Sequence, residues 1–175
     1  MKTTKKLINL SSLFILSFAL LTSCSKDDDG ESSGDGGGKV TAKIEGSSFE
    51  SFSQSSNAVK STSAGGTMLF VQGTNADGIG ITITIIGYDG EGSYQLGPIT
   101  NNFNTASYTE TDINNPTATQ VWSASYDTSS SGSINIDEET SQGIKGTFQF
   151  KGKNGNDGSI KTISEGQFDL NFRSN

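Results

Sequence analysis

Ile79-Gly80-Ile81-Thr82-Ile83-Thr84-Ile85-Ile86 decides how this chain folds. Isoleucine at alternate positions sets Ile79, Ile81, Ile83 and Ile85 on one face and Thr82 and Thr84 on the other, the period of a half-buried strand. β-branched residues on both faces suit a pleated, packed surface. Asp77-Gly78 before the run and Asp89-Gly90 after it are turn dipeptides.

The same alternation extends in both directions. Residues 39–45 turn Val40, Ala42 and Ile44 toward a core, and residues 120–126 group Trp122, Ala124 and Tyr126 against Val121, Ser123 and Ser125. Ile134 and Ile136 share a face. Ile144, Phe148 and Phe150 oppose Lys145, Thr147, Gln149 and Lys151, while Phe168, Leu170 and Phe172 oppose Gln167, Asp169, Asn171 and Arg173. Residues 68–71 are apolar on both faces and read as a central strand. Gly97-Pro98, Asn115-Pro116, Asn154-Gly155 and Asp157-Gly158 punctuate these runs. Gly92, Gly132, Gly146, Gly158 and Gly166 each precede an apolar position by two residues or fewer and read as strand starts after turns. With no helical stripe, the expectation is all-β: an antiparallel β-sandwich or barrel-like sheet of about 8–10 strands, in a single domain over residues 39–175.

Upstream the composition changes. Lys2, Lys5 and Lys6 precede an apolar run over residues 7–21, interrupted by Asn9, Ser11, Ser12 and Ser17. A spanning helix needs about 20 apolar residues, so residues 1–23 read as a cleaved signal peptide. The run closes on Leu21-Thr22-Ser23-Cys24, which resembles the bacterial lipobox. That resemblance implies diacylglycerol on the Cys24 sulfur and an acyl chain on the new amino terminus, a stable membrane anchor. The alternative is a secreted protein with a free Cys24. Residues 24–38 contain serines, acids and glycines that cannot bury apolar surface, and read as a flexible tether. Within them Lys26-Asp27-Asp28-Asp29 is similar to the charged export signal of surface-exposed Bacteroidota lipoproteins, which implies the outer membrane and its outward face.

The order of motifs carries a second resemblance. Residues 81–88, then Gly92-Ser93-Tyr94-Gln95-Leu96-Gly97, Tyr108, Trp122, residues 132–136, Gly146-Thr147-Phe148-Gln149-Phe150 and Glu165-Gly166-Gln167-Phe168 together look like a family of small Bacteroidota lipoproteins of unknown function. The resemblance spans about residues 39–173. It implies a sandwich-like domain and a lipid anchor, and carries no catalytic residues to transfer.

Cleavage after Ser23 leaves nine basic against 19 acidic residues, a formal charge of −10. This argues against nucleic acid and anionic lipid surfaces as partners. The chain has no histidine and one cysteine, so an intrachain disulfide, a His-based general acid or base, and zinc sites built on Cys or His fall away. No nucleophile or phosphate-loop motif is present. Glu110, Asp112, Asp137, Glu138, Glu139 and Glu165 keep a carboxylate-based glycoside hydrolase formally open, against the plainer reading of solvating acids. Tyr88, Tyr94, Phe103 and Tyr108 are candidates for a glycan-stacking platform, against packing under a loop. Asn75 and Asp77, with Asn154 and Asp157, are candidates for a calcium-stabilised loop cluster, against tight-turn chemistry. The expectation is a lipid-anchored outer-membrane protein, exposed at the cell surface, that works without a cofactor as a non-catalytic binding or accessory module. Its partners are the membrane, through Cys24, and a glycan or envelope protein.

Overall fold

The computed structural model describes residues 38–97, 103–124 and 131–173, all within one compact unit that spans residues 33–175. The signal peptide, lipobox, Cys24, the tether with Lys26 to Asp29, and Tyr126 lie outside the described residues. Eleven strands follow in order among these residues: β1 (Lys39–Ile44), β2 (Ser47–Glu50), β3 (Asn57–Ser63), β4 (Gly66–Thr74), β5 (Ile79–Ile86), β6 (Gly92–Leu96), β7 (Thr105–Glu110), β8 (Gln120–Ser123), β9 (Ser131–Glu139), β10 (Gly143–Asn154) and β11 (Ile160–Asn171). Among the described residues there is no α-helix, only single 3-10 turns at Ser53–Ser55 and Pro116–Ala118. The count slightly exceeds the expected one because β2 and β3 are short or Ser/Thr-rich and carry little hydrophobic alternation.

All strand pairs are antiparallel, in the order β2-β1-β11-β10-β8-β7-β5-β4-β3, with β9 also on β10 and β6 on β9. The pivot is β10. One edge pairs with β11, while the other is shared: Ile144 to Lys151 face β9, and Lys153 and Asn154 face β8. The sheet forks there and curls. Its flanks are tied by Phe52 N–H donating to the Thr74 carbonyl at 2.9 Å and Arg173 N–H donating to the Ala58 carbonyl at 2.8 Å. Of the two expected architectures, the fold is therefore the barrel-like one, a single curled sheet around its own core.

The period-two reading locates that core. Val40, Ala42, Leu69, Val71, Ile81, Ile83, Ile85, Ile134, Ile136, Ile144, Phe148, Phe150, Phe168 and Leu170 all belong to one buried cluster, together with Trp122 and Ala124. Residues 68–71 fall in β4, paired on both sides, with Leu69 and Val71 buried and Met68 and Phe70 half-buried. The alternation breaks once within β11. Ile163 and Gly166 are both buried although three positions apart, and Glu165 between them has φ 50° while the register slips, the signs of a β-bulge.

Two glycines require a correction. Gly146 and Gly166 do not start strands but lie inside β10 and β11. A Cβ on Gly146 would stand 2.5 Å from the Phe168 ring, and one on Gly166 2.4 Å from the Phe148 ring. Each glycine is the space that lets a cross-strand phenylalanine lie flat on the sheet.

Candidate functional site

Period two sets a lysine in the core phase of a strand at two places, where Lys161 is half-buried and Lys60 exposed. Ala58 faces the core of β3, so Lys60 shares its face; Ile163 faces the core of β11, so Lys161 does too. A lone lysine stem can line apolar surface only if its ammonium finds an anion or water. Both lysines find a glutamate that also receives a tyrosine hydroxyl.

At one end of the sheet Lys60 is ion-paired with Glu139 of β9, and the Tyr88 hydroxyl donates to the same carboxylate. Lys60 also sits 5.4 Å over the Phe172 ring. Tyr88 stacks on Tyr94 at 5.7 Å, and the Tyr94 hydroxyl lies 2.8 Å from Asp89 Oδ1. The Glu139 backbone N–H donates to Glu91 Oε1 at 3.3 Å. A polar hollow of about 290 Å³, bordered also by Thr62, Thr67, Asp89 and Gly90, opens beside this group.

At the other end Lys161 pairs with Glu110 of β7, and the Tyr108 hydroxyl donates to Glu110 at 2.6 Å. The Lys161 ammonium lies 4.0 Å over the Trp122 ring and 5.0 Å over Tyr108. Trp122 in turn donates its indole N–H to Ser159 Oγ at 2.9 Å. Ile79 pairs with Glu110, whereas Tyr88 follows the far end of β5. The two triads are thus separated by the length of β5, roughly 25 Å at strand rise.

The electrostatics of the two triads agree. Burial pushes both the Tyr88 and Tyr108 hydroxyls well above the usual tyrosine range, and the hydrogen bonds to Glu139 and Glu110 add to it. Burial also pushes the Glu139 and Glu110 carboxyls up. The hydrogen bonds from lysine and tyrosine and the lysine charge outweigh it, and both carboxyls end below their usual range. At neutral pH each triad therefore holds a protonated tyrosine, an ionised glutamate and a paired lysine. Such a group fastens strands distant in sequence; its proton positions are those of a satisfied network.

The remaining sequence candidates disperse. Tyr88 and Tyr108 are only 5 % and 2 % exposed, so of the two readings of these rings the outward stacking platform is corrected: they are packed in the core, with the hydroxyls on glutamates and the Lys161 ammonium over the Tyr108 ring. Tyr94 is half-buried and Phe103 is 73 % exposed. Glu138 lies 3.5 Å from Lys145, Glu165 2.8 Å from Lys43, Asp137 accepts from the Asn135 amide, and Asp112 Oδ1 accepts the Asn114 and Asn115 N–H groups. Asn75 Oδ1 accepts N–H groups of Asp77 and Ile79 at 3.0 Å each, and Asn154 Oδ1 that of Asn156 at 2.8 Å. Asp157 Oδ1 accepts both the N–H and the hydroxyl of Ser159. These oxygens close turns, and among the described residues no three His, Cys, Asp or Glu side chains gather in a way that could hold a metal ion.

Sequence reasoning missed Lys60, Lys161 and Phe172 as partners of the glutamates. The available signal was a lysine in the inward phase of a strand, at Ala58-Val59-Lys60 and Lys161-Thr162-Ile163.

Residues 39–169 match the family model described as a domain of unknown function (DUF6252). No curated protein and no solved structure matches the chain.

Proposed function

This chain belongs to the DUF6252 family, and on that premise we propose that it is a non-catalytic binding or accessory module held at the outer membrane by lipid on Cys24. The observation that carries the reading is Leu21-Thr22-Ser23-Cys24 at the end of a short apolar run behind three lysines. Lipid on a single cysteine beside the cut gives that residue a role it otherwise lacks. Lys26 to Asp29 and the glycines that follow support a tethered domain on the outward face. The engagement of Glu110, Glu139, Glu138 and Glu165 in ion pairs with lysines supports a non-catalytic role, because a carboxylate pair for glycoside hydrolysis must be free to protonate and attack.

Fatty-acid labelling of cells expressing wild type and Cys24→Ala, followed by protease shaving of intact cells, tests this. Label on the wild type alone, with the domain shaved from outside, is the expected result. Label that persists without Cys24 overturns the anchor; a labelled domain that resists shaving places it on the inward face and overturns surface exposure.

A further inference from the structure

The curled sheet has two unlike outer halves. On β1, β9, β10 and β11 the outward phase carries charge at Lys39, Lys43, Asp137, Lys145, Lys151 and Asp169. Ion pairs such as Lys39 with Glu50 and Lys145 with Asp169 stand on it, as on an ordinary solvated antiparallel sheet. The outward phase of β3, β4, β5, β7 and β8, which are neighbours in the sheet, carries no charge at all. The only charged residues in these five strands, Lys60 and Glu110, stand in the inward phase and belong to the two triads.

At the middle of this uncharged face β4 is apolar on its outer side as well as its inner one. Val59 pairs with Phe70 and Met68 with Ile86, so these four form one outward apolar group across β3, β4 and β5. Ile86 is 45 % exposed. Phe103, which is 73 % exposed, precedes Asn104, whose side chain accepts the Ile86 N–H at 2.9 Å, and extends the group. Beside it Thr84 stands opposite Thr105 and Thr82 opposite Ser107, a strip of hydroxyls that runs on to Ser123 of β8.

We propose that this face packs against the same face of a second copy of the chain, sheet on sheet. Interface centres are depleted of charge and enriched in aromatic residues and methionine, which describes the outer side of β4 and not that of β10. A hydroxyl both donates and accepts, so a Ser/Thr strip matches its own copy, where an ammonium or carboxylate would meet its like. The chain's formal charge of −7 makes two copies repel, and these five strands let them meet without setting acid against acid. A basic partner would find no ion pair to make here. A bilayer would dehydrate the hydroxyl strip without returning its hydrogen bonds. Two-fold packing of one face on itself closes and leaves nothing for a third copy to extend. Such a pair needs no lipid on Cys24, so its failure and the failure of the anchor are read separately.

Sedimentation velocity of the full chain in a polyoxyethylene detergent, with micelles in large excess over chains, tests this. Two chains per particle are expected for the wild type and for Gln149→Lys on the charged half. Thr84→Lys and Thr105→Lys should each raise the dissociation constant tenfold or more. Added salt should tighten the pair, because it screens the mutual repulsion and no ion pair crosses the contact. The substituted side chains point outward, and the emission of Trp122 verifies that the variants fold. One chain per wild-type particle at every concentration overturns the proposal. So do pairs that survive both threonine substitutions, that loosen equally in Gln149→Lys, or that loosen as salt rises. Hydrogen exchange in β4 and β5 that slows only on adding phosphatidylcholine vesicles assigns the face to a bilayer and overturns it as well.

Discussion

Phe148 stands directly across from Gly166 in the β10–β11 register, and its ring occupies the space a Gly166 side chain would need. The arrangement is reciprocal: Phe168 stands across from Gly146 and covers it in the same way. The two rings stack on each other at 6.3 Å with 22° between their planes.

This geometry makes Gly166→Ala and Gly146→Ala overpacking changes. Neither glycine has a positive φ, so the cost is steric. Each is expected to lower stability by about 1–3 kcal/mol, read from urea denaturation. Phe148→Leu in the Gly166→Ala background recovers part of that loss; a purely additive double variant would refute the direct contact.

Tyr88→Phe and Tyr108→Phe each remove a hydroxyl that donates to a carboxylate and leave the ring in place. A loss of about 1–2 kcal/mol is expected for each. Because the two triads lie at opposite ends of β5, their effects should add within about 0.5 kcal/mol. Thermal unfolding of both single variants and the double variant measures this, and a strong coupling between them would contradict the separation.

The pH profile of stability follows from the same groups. Glu139 and Glu110 carry lowered values in the folded chain, so the unfolded chain binds more protons in acid. Their contribution is complete above the ordinary carboxylate value near about 4.3 and is lost as pH falls through the lowered values. Tyr88 and Tyr108 carry raised values. Their contribution is complete below the ordinary tyrosine value near about 10 and is lost as pH climbs above it, when only the unfolded chain releases those protons. Melting temperatures recorded from pH 2 to 11 should form a plateau with two falling limbs, and Tyr88→Phe with Tyr108→Phe should flatten the alkaline one.

Lys161→Met keeps the apolar stem but removes the ammonium from over Trp122 and from Glu110. Lost cation–π attraction accounts for about 0.5–2 kcal/mol, with a further loss from the unpaired carboxylate. Trp122 is the chain's single tryptophan and is 5 % exposed, so its emission reports both the altered ring environment and unfolding. An unchanged emission maximum and stability would refute the contact.

The glycine pattern shows where reading along the chain stops. Gly146-Thr147-Phe148 and Gly166-Gln167-Phe168 look alike and each suggests a strand that begins after a turn. Set antiparallel in register, they become one interlocked unit in which each phenylalanine needs the other strand's glycine. Neither strand alone contains that information. Tyr88, just past the end of β5, and Tyr108, inside β7, were likewise legible as candidates, but whether their rings faced water or core depended on how far the sheet curled.

What the sequence by itself determined is local: an all-β class, the inward residues of β1, β5, β9, β10 and β11, and the turns at Asp77-Gly78 and Asp157-Gly158. A two-residue period and the φ demands of turns act between near neighbours, so they are written in consecutive letters. Tertiary structure alone decided the rest, from the fork at β10 and the single curled sheet to the Lys60–Glu139 and Lys161–Glu110 pairs, 79 and 51 residues apart in the chain. Each depends on which strand lies beside which, a choice made by the packing of one shared core rather than by any stretch of sequence.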